Sequence, residues 1–246
     1  MLHRGWTPEY LAQARVFFER ALALDPENVD AMVWMARVDV IVGSSYIGDD
    51  RAARFATAEA TVLKALSIAS NHAFAHAILG EVLVHTNRGV QGIAEELRAL
   101  ELDRNLGYAH AGIGRAKLFM GRAAEIEAHM NEAFRLSPRD AFAYTWMMSI
   151  GFAKLQLEAD IEAVGWFRRC IEANRNHPSA HFGLAAALGL LGSLDHARAA
   201  AKAGLAINPT FTIRRFRDSA HGDNPTYLAK RERIFEGLRI AGLPEG

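Results

Sequence analysis

The chain has 246 residues, half of them hydrophobic, and 28 Lys+Arg against 28 Asp+Glu, a formal net charge of zero. Balanced charge supplies no global field to hold a polyanion, which argues against nucleic acid as a partner. A single cysteine, Cys170, excludes an internal disulfide framework and a cysteine-based zinc site. It fits a reducing cytoplasm. No run approaches the ~18 apolar residues of a membrane span, and "MLHRGWTPEY" lacks the apolar core of a signal peptide. A cytoplasmic chain that does not contact membrane is expected.

The first predicted element is the helix in "ARVFFERALALDP", with Ala14, Phe18 and Ala21 on one face and Pro26 closing it. Only the stub "MLHRGW" stands where a partner helix would precede it. Either Met1 lies just inside a longer parent or an atypical segment caps this end. The first reading is favoured, because an unpaired helix leaves an apolar stripe needing cover. The next helix begins near Val29 and carries Met32, Met35 and Ala36. Its "RVDVIV" is locally strand-like, but the spacing places it at a helix end. "VGSSYIGDDRA", Val42 to Ala52, reads as an inserted exposed loop with Tyr46 and Ile47 as anchors. A helix with Ala58, Val62 and Ala65 follows.

"FAHAILGEVL" from Phe74 then returns as "YAHAGIGRAK" from Tyr108 and, less closely, as "SAHFGLAAAL" from Ser179. His76 and His110 are 34 residues apart, and His181 follows His110 by 71, twice 34 plus three. A fixed period of this size marks stacked supersecondary units. The second helix of each period repeats a small–large–small face: Ile126, Met130 and Ala133, then Ala163, Phe167 and Cys170, then Ala197, Ala201 and Gly204. Gly89, Gly121 and Gly192 are expected at or beside the tight turns, where positive φ costs glycine nothing. After Pro209, "FTIRRFRDSAHGDNP" is expected to be irregular and basic. "TYLAKRERIFEGLRIAGL" reads as an amphipathic cap, with Leu228, Ile234, Leu238 and Ile240 toward the stack and Lys230, Arg231, Arg233 and Glu236 toward water.

This arrangement resembles the tetratricopeptide repeat, W-x₂-L-G-x₂-Y, then A-x₃-F, then P, over 34 residues. His76, Leu79, Gly80 and Leu83 hold the first-helix places in one unit, and His110, Ile113, Gly114 and Lys117 in the next. The resemblance implies an all-α fold, a right-handed α-solenoid of antiparallel helix pairs. Its units would be 1–28 (partial), 29–72, 73–106, 107–140, 141–177 and 178–211, with a linker and capping helix over 212–246. In that register the three histidines occupy the Trp place of helices ~8–10 Å apart. A shared metal needs each nitrogen at ~2.0–2.1 Å, so they are packing residues and not one site. "FERALALDP", "RLSPRD", "EANRNHPSAHFGLAAALGLLG" and "FEGLRIAGLPEG" look like the C-terminal repeat arrays of bacterial regulators. In those, a class III adenylate cyclase or winged-helix domain precedes the array.

No phosphate loop, dinucleotide fingerprint, zinc-protease helix or nucleophile elbow occurs. No catalytic residue, cofactor or metal is therefore expected, and the chain is read as non-enzymatic. His85 and His129 are isolated, Asp195 suits a helix start, Cys170 fills a small buried place, and Arg214, Arg215 and Arg217 read as a solvated cap. The resemblance implies a concave groove lined by the second, fifth, ninth and twelfth residues of each first helix. The second places are Asp30, Phe74, Tyr108, Phe142 and Ser179; the ninth are Arg37, Glu81, Arg115, Ser149 and Ala186. Of these, Arg37, Phe74, Glu81, Tyr108, Arg115, Phe142 and Ser149 are the expected partner-binding residues. The aromatics form a row along the groove or pack against neighbouring units. The Arg37, Glu81 and Arg115 row is expected to face the groove, so that reversing Arg115 would leave stability nearly unchanged. The expected partner is a protein or peptide segment held by a scaffold. The alternative is a sensory or regulatory domain of a larger cyclase-type or transcriptional regulator. The Lys/Asn set that grips chaperone C-terminal carboxylates is absent from these places, so that specificity is not expected.

Overall fold

The computed structural model describes residues 8–44 and 50–246. The stub "MLHRGW" and the proposed anchors Tyr46 and Ile47 lie outside the described residues. Among the described residues thirteen α-helices follow in order: α1 Pro8–Leu24, α2 Val29–Ser44, α3 Arg51–Ile68, α4 Ala73–His85, α5 Gly89–Leu102, α6 Gly107–Phe119, α7 Ile126–Leu136, α8 Ala143–Gln156, α9 Asp160–Ala173, α10 Pro178–Leu190, α11 Leu194–Ile207, α12 Ile213–Asp218 and α13 Pro225–Ile240. "RVDVIV" lies within α2. Two compact units divide the chain, 1–116 with 131–138, and 117–130 with 139–246.

Four turns inside the helix pairs are built alike. In each, an N–H bonds back to the carbonyl five residues earlier: Arg88 to Leu83, Arg122 to Lys117, Ala159 to Lys154 and Ser193 to Leu188, at 2.8–2.9 Å. This is the Schellman closure, which requires a left-handed residue just before the donor. Those residues are Asn87, Gly121, Glu158 and Gly192, with φ of 64°, 79°, 63° and 73°. Gly121 and Gly192 stand where the sequence placed them. Gly89 is beside its turn as well, but it opens α5, and Asn87 takes the positive φ.

The turn residues also correct the register of the fifth repeat. Gly80 precedes Asn87 by seven residues, and Gly151 precedes Glu158 by the same seven. The three extra residues of that repeat therefore fall before α8. The residues equivalent to Tyr108 and Arg115 are Thr145 and Phe152; Phe142 and Ser149 stand one turn earlier than the sequence reading put them.

In the first unit the small–large–small face of α3 packs inward, with Ala58, Val62 and Ala65 fully buried against Ile78 and Val82 of α4. In the second unit Ala163, Phe167 and Cys170 of α9 do the same. The large member of each face, Val62 or Phe167, contributes roughly 1.5–3 kcal/mol by its burial.

α13 covers α10 at backbone contact. A Cβ at Gly237 would stand 2.5 Å from the Ala186 carbonyl oxygen, so only glycine permits the approach. Ile234 and Leu238 are buried, whereas Leu228 and Ile240 are 38% and 36% exposed, unlike the expectation for them. Arg231 was expected to face water and is buried. Its guanidinium donates to the Phe216 and Arg217 carbonyls and lies over the rings of Phe216, Tyr227 and Phe235. Arg233 is likewise engaged, forking onto Asp160. The segment expected to be irregular contains α12, which Thr212 caps by accepting the Arg215 N–H. The chain end is tied back to it, Ile213 N–H to the Pro244 carbonyl and Arg214 N–H to that of Glu245.

Candidate functional site

α2, α4 and α6 are the first helices of three successive repeats, and their ninth residues meet in one layer of the first unit. Arg115 Nη1 lies 3.0 Å from Glu81 Oε1, and Arg37 Nη1 lies 3.7 Å from Glu81 Oε2. Phe74 and Tyr108 stand two turns earlier on α4 and α6. Their rings meet edge-on at 5.4 Å, and the Arg37 guanidinium sits 4.3 Å from the Tyr108 centroid. Trp34 and Phe18 extend the aromatic run through Phe74. Five of the seven expected partner-binding residues are thus brought together.

Their burial differs from expectation. The side chains of Arg37, Glu81 and Arg115 are 6%, 7% and 12% exposed, because each arginine reaches across α4 or toward it and fills the space between helices. Reversing Arg115 would set a second carboxylate against Glu81 in this dry layer, so it would cost stability. The expectation of an unchanged melting temperature is therefore corrected.

Burial alone would raise the Glu81 carboxyl. Arg115, His85 and Arg37 outweigh it and hold Glu81 at about 2. His85, read from the sequence as isolated, is buried 3.7 Å from Glu81, an ion-pair distance too long for a hydrogen bond. Burial pushes it down to about 4, so it is neutral at pH 7.

The sequence reading missed Glu96. It is fully buried on α5, and neither carboxyl oxygen has a hydrogen-bond partner among the described residues. Burial, then the nearby Glu81 charge, raise it well above the carboxylate range. Its side chain fills a slot between two glycines: a Cβ at Gly112 would overlap the carboxyl, and one at Gly80 would lie 2.9 Å from its Cγ. A signal was available. Gly92, Glu96 and Ala99 continue the small–large–small register, and Glu96 stands where other repeats have Phe18, Val62, Met130 and Phe167.

In the second unit Ser149 is buried and its hydroxyl donates to the Thr145 carbonyl. Phe142 is half-buried at the start of α8, with its N–H on Asp140. Phe152, Phe182, Phe211 and Phe216 instead line a small apolar recess with Ser179 at its edge.

The repeat histidines serve the turns. His76 Nε2 donates to the Ser70 carbonyl at 3.0 Å and His181 Nε2 to that of Arg175 at 2.9 Å, each six residues back. His110 is half-buried and its basicity is lowered by that burial. Cys170 donates its thiol to the Tyr144 carbonyl, and burial pushes the thiol up to about 12. Arg217 pairs with Glu232, and Arg215 donates to the Thr210 carbonyl. Among the described residues no three His, Cys, Asp or Glu gather as a metal site would, and no helix is long and apolar enough to cross a membrane.

No protein-family model and no curated protein matches the chain. Solved structures do. A tetratricopeptide repeat protein from Parabacteroides merdae aligns over 95% of this chain and 78% of its own, at 14% identity and a TM-score of 0.62. A thermophilic TPR protein from Thermus thermophilus aligns over 72% and 90%, at 17% identity and 0.58. A chain of the APC/C hetero-tetramer Cut9–Hcn1 aligns over 94% and 44%, at 14% identity and 0.64. What they share with this chain is its stacked helix pairs, so the protein has the tetratricopeptide repeat fold.

Proposed function

We propose that the protein is a non-enzymatic scaffold, acting in the cytoplasm, that holds an extended or helical protein segment along the inner face of its first helices. The carrying observation is the layer of Arg37, Phe74, Glu81, Tyr108 and Arg115, charged and aromatic residues recurring at one face of successive repeats. Repeat stacks act by presenting such a face. Phe142 and Ser149 belong to the proposed surface in the second unit, with Thr145 and Phe152 at the equivalent places. The Cut9–Hcn1 neighbour, described as a hetero-tetramer, supports the protein-binding reading by analogy of fold. The phrases resembling bacterial regulator arrays support a second reading, in which the segment bound belongs to a cyclase or transcriptional regulator domain, fused or separate.

A photo-crosslinking residue tests this directly. Placed at Phe74 or Thr145, it should capture a protein from the source cells; placed at Val90 or Ile161, which are 71% and 78% exposed on second helices, it should not. Capture from Val90 and Ile161 alone would move recognition to the outer face.

A further inference from the structure

We infer that the Nε–Nη2 edge of Arg115 is the receptor for a side-chain carboxylate of the bound segment, with the Tyr108 hydroxyl as a further donor. This rests on the reading of the inner face as the receiving surface and states what that face selects.

Arg115 spends only Nη1 on Glu81. Its Nε and Nη2 are buried and have no hydrogen-bond partner among the described residues. Those two N–H groups point the same way on the planar guanidinium, and together they form the fork that matches both oxygens of a carboxylate. The Tyr108 hydroxyl, on the same face of α6 two turns earlier, is also buried without a hydrogen-bond partner among the described residues. Buried polar groups are nearly always satisfied, and those left idle call for an explanation. Here the idle groups include a complete bidentate donor pair.

The layer's geometry favours one further negative charge. Arg37 joins the two ends, lying over the Tyr108 ring and within 3.7 Å of Glu81. Glu81 is therefore shared between two guanidiniums. Neither neighbouring acid–base group competes for the fork: His85 is neutral at pH 7, and Glu96 makes no ion pair or hydrogen bond among the described residues. With Glu81 only 3.0 Å from Nη1, a monoanionic carboxylate suits the fork better than a doubly charged phosphate, which Glu81 would repel more strongly. Arg115 is the most exposed of the three charged side chains, but its Nε and Nη2 are themselves buried, so an entering carboxylate is taken into the layer and shielded from water there. The edge-to-face pair of Phe74 and Tyr108 supplies an apolar wall beside it. The segment selected carries Asp or Glu next to an aliphatic or aromatic residue.

The test pans a phage library of random dodecapeptides on the full chain and on Arg115→Lys and Tyr108→Phe. Lysine leaves Glu81 a cation and so preserves the fold, but it removes the fork. The wild type should enrich peptides with Asp or Glu beside an apolar residue. Changing that acid to its amide should weaken binding at least tenfold, about 1.4 kcal/mol. Arg115→Lys should lose the same factor and no longer distinguish acid from amide, and Tyr108→Phe should lose part of it. Enriched peptides without an acidic preference, or Arg115→Lys binding as well as wild type, would overturn the carboxylate site while leaving segment binding intact. If no peptide is enriched at all, the inner-face reading fails and takes this inference with it.

Discussion

The two units build the same slot and fill it with opposite chemistry. In the second unit Phe167 lies between Gly151 and Gly183; in the first, Glu96 lies between Gly80 and Gly112. Both side chains are fully buried at the large place of the small–large–small face. The ring gains apolar burial and edge-on contact with Phe152 at 5.1 Å. The carboxyl gains no hydrogen bond among the described residues. The ninth places differ in the same sense, Arg37, Glu81 and Arg115 in one unit against Phe152 and Ala186 in the other. The difference teaches that the repeat dictates volume and spacing but not polarity. A polar layer that the backbone does not require, and that stability does not favour, points to use.

Exchanging the fillings tests this most severely. Phe167→Glu removes a buried ring and strands a charge among apolar neighbours, mechanisms that together exceed the ~3–5 kcal/mol of a large-to-small core change. Chemical denaturation should show the loss, with amide exchange accelerated in α9 and α10. A loss below about 1 kcal/mol would mean that the slot takes a carboxyl at little cost, against the claim that stability does not favour Glu96.

The arginines offer the next contrast. Arg231 is as buried as Arg37, but its guanidinium closes the end of α12 through two carbonyls. Arg231→Met should cost about 1.5–3 kcal/mol, the range for hydrogen bonds to a charged group. An unchanged melting temperature would show that α12 needs no such closure.

Glu96→Leu should change stability in the opposite direction, gaining roughly 1–3 kcal/mol at pH 7 by removing an unsatisfied buried polar group. Its pH dependence carries a sign. The folded state holds Glu96 protonated above the ordinary carboxylate range, so the unfolded state binds fewer protons and stability falls as pH rises. His85, held at about 4, works the other way, its contribution being lost as pH falls from its ordinary value of 6.5 toward 4. Glu81, held at about 2, contributes above the ordinary carboxylate value and is lost as pH falls toward 2. The stability difference between Glu96→Gln and wild type isolates the first effect. It should widen with rising pH by at most ~1.4 kcal/mol per unit, the slope for one proton. A flat difference would place the Glu96 proton in the ordinary range.

Much of this was legible in the sequence. The 34-residue period and the small–large–small faces carried the helix pairs, because those spacings are what close helix packing demands. The row of Arg37, Glu81 and Arg115 was found by position alone. Its burial was not, since a pattern place names a face and not how far long side chains reach across it. The register of Phe142 and Ser149 slipped because three extra residues leave no mark until the left-handed turn at Glu158 fixes the count. α12 escaped because six residues with three arginines show little amphipathic pattern, and Arg231 because its partners are carbonyls of that unseen helix. Glu96 was missed for the simplest reason: a charged residue was not looked for at an apolar place.

The central claim is that the polar layer of the first unit is kept for binding at no gain in stability. Its most direct test is the triple variant Arg37→Met, Glu81→Leu, Arg115→Met, which makes that layer apolar like its counterpart. Replacing a buried ion triad by apolar residues of similar volume is often neutral or stabilising. We expect an equal or higher melting temperature together with loss of crosslinking from Phe74. A variant that is captured as efficiently as wild type would contradict the claim.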